Sequence, residues 1–189
     1  MSIIVAVRKG SETVVAADGL ISFGTRRVPA GNIRCEKLYR TGDAVLGVAG
    51  WSLYDDIVRD YLAGFDEPPA LGSKAEVFQF FQLFWGALHE RYPFVKDQPD
   101  DADSPFGDID SSFLVAHPNG LFFVSSDLSV TEFTQYYAIG SGTDFALGAL
   151  HALYRQDSLD AEALALQAID AAIAYDVHCG GPVSFERVG

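Results

Sequence analysis

MSIIVAVRKG, residues 1–10, runs through five apolar residues in succession, Ile3 to Val7, before Arg8 and Lys9. A strand with one wet face alternates apolar and polar residues, and this one does not. It reads as a strand covered on both faces. KGSE (9–12) turns the chain, and TVVAAD (13–18) comes back as a hairpin partner. Chain ends usually fray, so a core strand beginning at the third residue calls for an explanation from the rest of the sequence.

Further along, GLISFGTRRVPAGN (19–32) is broken by Gly and Pro and reads as loop with short strand pieces. RCEKLYRTGDAVLGVAG (34–50) is a second hairpin turning at TGD, with Lys37 in its first strand. WSLYDDIVRDYLAG (51–64) puts Leu53, Ile57, Val58, Tyr61 and Leu62 on one helical stripe and stops at Gly64. The helix KAEVFQFFQLFWGALHERY (74–92) is apolar over much of its circumference, which predicts burial in the core or against a partner subunit. PFVKDQPDDADSPFGDID (93–110) carries six Asp against one Lys; its stretch at about 96–110 reads as a solvated acidic loop.

Strands resume in SSFLVAHPNGLFFVSSD (111–127), turning at HPNG, and in FTQYYAIGSGTDF (133–145), read as one strand ending at Gly-Ser-Gly. Two helices follow, one from Thr143 and one with Ser158 as its expected N-cap, and GPVSFERV (181–188) is a last strand. Blocks of strands and helix pairs in this order point to an α+β fold rather than alternating βαβ units. Two antiparallel sheets stacked face to face, each with a helix pair outside, form a four-layer αββα sandwich with the first strand central. The expected organisation is a single domain over residues 1–189.

Composition bounds the function. The net charge of −13 disfavours nucleic acid and anionic membranes as partners, since both need clustered Lys and Arg. Cys35 and Cys179 lack zinc-ligand spacing. The first ten residues do not read as a signal peptide, and no apolar run approaches the roughly 18 residues of a membrane span. The expected location is the cytoplasm.

Chemistry centres on Ser2. Removal of Met1, the usual fate when a small residue follows, leaves a hydroxyl and an α-amine on one residue. A free α-amine has a pKa of about 7.7–8, suited to a general base acting on its own hydroxyl. Such a site needs a buried cation and an anion to hold it. Asp18 at the end of the second strand and Lys37 in the third are candidates, although each is also an ordinary salt-bridge residue. Met-Ser by itself is a common start.

The chain resembles the proteasome β-subunit and HslV peptidase family of N-terminal-nucleophile (Ntn) hydrolases over nearly its whole length. SIIVAVRKG, VVAADG with the FG after it, KLY…VLGVAG, YAIGSGTDFALGALHALY and YDVHCGG carry the resemblance. The mixture of AIGSG and a DxxxGG form is similar to the minor bacterial proteasome homologues, notably the β-proteobacterial type. The resemblance implies the Ntn-hydrolase fold and peptide-bond hydrolysis in stacked homo-oligomeric rings, acting on peptides or unfolded proteins. The aromatic helix over 74–92 suits subunit contacts. An ATPase partner is not specified by the sequence.

Residue by residue, the resemblance makes Ser2 the nucleophile in place of the usual Thr. Asp18 holds Lys37, with Arg34 as the fallback cation, and Gly50 supplies the oxyanion N–H. Ser141 and Asp176 support the α-amine. Ile21, Val48 and Ser52 line a mainly apolar substrate pocket. Cys179 stands where a serine is usual and joins the Asp176 network. No cofactor is implied, and a structural cation held by carbonyls near Asp176 and Cys179 is left open. Of the histidines, His178 alone lies close to these residues in sequence. Ser for Thr and Cys for Ser also suit a non-catalytic or regulatory ring subunit, and an Ntn-hydrolase of small amides or esters is a further alternative.

Overall fold

In the computed structural model, β1 (Ile3–Lys9) is an inner strand of a four-stranded antiparallel sheet ordered β10-β1-β2-β11. The structure describes residues 2–23, 26–28, 32–92, 95 and 109–189. Met1 and most of the acidic segment expected at 96–110 lie outside them; of that segment Ile109 is buried and Asp110 exposed.

The four-stranded sheet joins β1 to β2 (Glu12–Asp18) through the turn at Gly10, whose φ of +62° suits glycine. Its outer strands are β10 (Tyr136–Gly140) and β11 (Val183–Val188). The second sheet is ordered β5 (Leu38–Thr41), β6 (Ala44–Gly50), β7 (Ser111–His117), β8 (Gly120–Val124), β9 (Val130–Phe133). A small ribbon, β3 (Ser22–Phe23) with β4 (Arg26–Arg27), falls inside the segment expected to be loop with strand pieces.

Three apolar layers explain why β1 lacks alternation. Ile3, Val5 and Val7 pack under α3 (Thr143–Leu153) and α4 (Ala161–Tyr175), together with Leu150, Leu164 and Ile169. Ile4 and Ala6 point the other way, into the layer between the sheets with Val45, Leu114 and Leu121. The third layer holds Phe81, Phe84, Phe113 and Phe122 between the five-stranded sheet and the helices α1 (Leu53–Ala63) and α2 (Lys74–Arg91). The order is helices, sheet, sheet, helices, as the αββα expectation has it. Each aliphatic side chain moved from water into these layers contributes about 1.5–3 kcal/mol.

Four local expectations are corrected. FTQYY is not one strand: Phe133 ends β9 in one sheet and Tyr136 begins β10 in the other. Thr134 and Gln135 carry the crossing, and Gln135 O accepts from Arg8 N at 2.6 Å. The buried stripe of α1 is Tyr54, Ile57, Val58 and Tyr61, while Leu53 is 41% exposed. Asp160, not Ser158, caps α4: its Oδ1 accepts from Ala163 N at 2.8 Å. Lys37 stands one residue ahead of β5 rather than within a strand. Among the described residues no helix is long and apolar enough to cross a membrane.

Candidate active site

Ser2 is 5% exposed, at the start of β1. The next residue ties it to the end of β2, because Ile3 N donates to Asp18 Oδ1 at 3.0 Å. The antiparallel register places Ile4 opposite Ala17, so Ile3 and Asp18 face each other at the end of the ladder.

Asp18 is 1% exposed and fully engaged. Oδ1 also accepts from Lys37 Nζ at 2.7 Å, and Oδ2 accepts from Gly180 N at 3.0 Å and Leu20 N at 3.3 Å. Lys37, 4% exposed, donates further to Leu20 O at 2.9 Å. A buried ion pair of this kind survives desolvation only with its remaining hydrogen bonds made, and here both partners have them. Arg34, the fallback cation, is exposed, and Lys37 takes the place beside Asp18.

Gly50 ends β6 opposite Ser111. Val48 N donates to Lys37 O on the β5 side, and Trp51 N donates to Asp110 O on the β7 side. Successive residues of a strand point their N–H groups to opposite neighbours. Gly50 therefore aims its N–H to the β5 side, toward the segment ahead of β5 that holds Lys37. A Cβ at Gly50 would overlap the Ser111 side chain and the Asp110 carbonyl, so only glycine lets β7 approach there.

A second cluster lies at the ends of β10 and α4. Ser141 Oγ and Gly142 N point at Ser2 O, at 3.4 and 3.5 Å. Gly140 (φ +106°) makes this approach possible, since a Cβ there would overlap the Ser2 carbonyl. Asp176 Oδ1 accepts from His178 N at 2.9 Å, and Oδ2 accepts from the Cys179 thiol at 3.3 Å. Burial pushes the Asp176 carboxyl up, but hydrogen bonds from Ser141, His178 N and Cys179 outweigh it and hold the group below its usual range. The Cys179 thiol is pushed up to about 12, by burial first and then by its bond to Asp176. It is held as a neutral donor.

Ser2, Asp18, Lys37, Ser141, Asp176 and Cys179 thus come from five segments, and the 176–180 turn joins the two clusters by donating Gly180 N to Asp18. A buried ammonium on the same carboxylate that holds Ile3 N, the amide after a hydroxyl-bearing residue, with a Gly50 N–H aimed to the side of Lys37, is a set of groups suited to nucleophilic attack on a carbonyl. Of the positions expected around a substrate, Ile21 is half-buried, Val48 is 2% exposed and Ser52 is exposed at the start of α1. Among the described residues no group of three or more His, Cys, Asp and Glu could hold a metal ion. Gly180 and Leu20 were missed from the sequence because they act through backbone N–H or C=O, which leaves no side-chain signal; the paired glycines 180–181 were the available hint. A surface cavity of about 400 Å³ lies at the far end of the β5–β6 hairpin, near Gly42 and His117, away from Ser2.

No family model matches the chain. Among solved structures it is similar to Thiobacillus denitrificans BPH, alone and in complex with epoxomicin. Sequence identity is 35%, 98% of this chain and 97% of that chain are covered, and the TM-scores are 0.91 and 0.90. Eukaryotic HslV from Trypanosoma brucei has a TM-score of 0.66 at 24% identity over 98% of each chain, a likeness of fold. The fold and the bacterial-homologue resemblance expected from the sequence are both borne out.

Proposed function

The chain belongs to the proteasome β-subunit and HslV family, and on that premise we propose that it is a self-compartmentalising peptidase with Ser2 as its nucleophile once Met1 is removed. The observation that carries the proposal is the buried Lys37–Asp18 pair bonded to Ile3 N, the amide directly after Ser2.

In this reading the α-amine of Ser2 takes the proton of its own hydroxyl, directly or through a water. The positive charge of Lys37 favours the alkoxide as Oγ attacks the peptide carbonyl. Gly50 N–H hydrogen-bonds the oxyanion as it develops. The amine returns the proton to the leaving nitrogen, and water then hydrolyses the acyl-enzyme by the reverse path. Asp18 is a positioning residue for Lys37. Ser141 and Asp176 position the chain end through Ser2 O and the 176–180 turn. The proposed chemistry needs no cofactor. The enzyme is placed in the cytoplasm, as stacked homo-oligomeric rings that keep the sites from folded protein. Exposed Phe78 and Leu83 on α2, with Phe145 stacked on Tyr175, are surfaces that subunit contacts would cover.

Intact mass and fluorogenic peptide hydrolysis test the proposal together. The expected result is loss of Met1, hydrolysis by the wild type and none by Ser2→Ala. Retained Met1, or equal activity of the two proteins, overturns it. Because epoxomicin is found bound to the Thiobacillus relative, it is also expected to block this chain's hydrolysis. The second reading, a non-catalytic ring subunit, rests on Cys179, whose tightly held thiol proton makes a weaker network than a hydroxyl.

A further inference from the structure

Gly50 is held from the β7 side, and the side chain that meets it there is Ser111. The two residues stand opposite each other at the end of the β6–β7 ladder. Trp51 N donates to Asp110 O, so the next pair is hydrogen-bonded, and alternation leaves Gly50 and Ser111 without a backbone bond between them. Phe113 and Val115, in step with Ser111 along β7, pack in the layer under α1 and α2. The Ser111 side chain leaves the sheet on that same face.

Ser111 is 5% exposed, and its Oγ is the one buried side-chain polar atom among the described residues with no hydrogen-bond partner. A buried hydroxyl left unpaired is destabilising, and alanine in its place would remove that cost. The oxygen has a use as volume. A Cβ on Gly50 would overlap Ser111 Oγ, Ser111 Cα and the Asp110 carbonyl. Oγ therefore fills the notch that the missing side chain of Gly50 leaves, and alanine would leave it empty.

The surroundings of this contact are fixed. Ser111 N donates to Ile109 O at 2.5 Å in a tight turn leading into β7, and Trp51 Nε1 donates to Asp110 Oδ2 at 2.7 Å. That second bond clips the residue directly after Gly50. With Trp51 tied on one side and the ladder on the other, the movement left to Gly50 is toward β7, and Ser111 Oγ blocks it.

We propose that Ser111 is a positioning residue for Gly50: its side chain sets how closely β7 approaches and thereby where the Gly50 N–H is held. The catalytic consequence rests on the peptidase reading, in which that N–H meets the oxyanion. An unpaired hydroxyl is kept there at a cost in stability because such a donor has to be held within about 0.5 Å of its productive place.

The test compares the assembled wild type, Ser111→Ala, which removes Oγ, and Ser111→Thr, which keeps it. In Ser111→Ala, kcat for a fluorogenic peptide is expected to fall about tenfold with KM unchanged, part of what losing a whole oxyanion donor costs. The denaturant midpoint of this variant is expected to hold or rise, because the unpaired hydroxyl is gone. Ser111→Thr is expected to keep kcat near the wild-type value, even where its added methyl lowers the midpoint. A peptide aldehyde gives an independent measure. Ser2 Oγ adds to its carbonyl carbon, the hydroxyl proton passes to the α-amine, and the carbonyl electron pair moves onto the oxygen that faces Gly50. Its affinity for Ser111→Ala is expected to weaken by the same factor as kcat. Crystal structures of wild type and Ser111→Ala are expected to show Gly50 N displaced toward β7 in the variant.

Unchanged kcat in Ser111→Ala, a change in KM alone, a fall in kcat that tracks a fall in midpoint, or a threonine variant as slow as the alanine one overturns the assignment. Gly50 in the same place in both crystals also overturns it, whether or not the protein is a peptidase. Displaced Gly50 in a protein whose wild type hydrolyses no peptide overturns the peptidase reading and leaves the placement of Gly50 by Ser111 standing.

Discussion

Lys37 Nζ lies 2.7 Å from Asp18 Oδ1, with the two side chains 5% and 0% exposed. Neither charge reaches solvent, so each depends on the other and on the backbone groups around them. This pair fixes the end of β2 against the segment ahead of β5, and through Ile3 N it fixes the start of β1.

Removing one partner is therefore costly. Lys37→Ala leaves the Asp18 carboxylate buried without its cation, and loss of about 3–5 kcal/mol is expected. Denaturant unfolding of wild type and variant in the same assembly state measures it. Hydrolysis is expected to vanish in the variant even under conditions where it stays folded.

Gly50→Ala tests the aimed N–H. The added methyl meets Ser111 and the Asp110 carbonyl and pushes β7 away from the end of β6. A fall in kcat of about 10²–10³-fold is expected, the scale of losing one oxyanion donor. Unchanged turnover would remove Gly50 from the site.

Asp176 predicts an acid limb in stability. Its carboxyl is held below the ordinary value of 3.8 in the folded protein. The stability it contributes is complete above the unfolded value and is lost as pH falls through the folded one. Unfolding curves of wild type should weaken across that acid window, and those of Asp176→Asn should weaken less there.

Cys179 should resist alkylation. With its thiol pushed up to about 12 and its side chain fully buried, almost no thiolate forms near pH 8, and none reaches reagent. Peptide mapping after iodoacetamide treatment is expected to find Cys179 unmodified in the folded protein and modified after unfolding. Cys179→Ser should keep the bond to Asp176 and leave the fold intact.

Where sequence reasoning succeeded, the signal was local. Helices α2 and α3 begin at Lys74 and Thr143, and the HPNG turn joins β7 to β8. Where it failed, a distant contact made the choice. Ser158 and Asp160 are both good N-caps, and it is Asp160 that caps α4 where the helix packs on β1 and β2. Leu53 looks as apolar as Tyr54, but the rotation of α1 over β6 buries the tyrosine.

The unbroken apolar run from Ile3 to Val7 by itself determined that β1 is central, since a strand packed on both faces has no position for a polar residue. The apolar patterns of the later segments determined the helix-and-strand order that makes an αββα sandwich. Only the tertiary structure decided that Lys37 rather than Arg34 meets Asp18 and that FTQYY divides between the two sheets. Those outcomes depend on strand register and on contacts between residues far apart in the chain, and a shift of one residue turns a side chain to the opposite face.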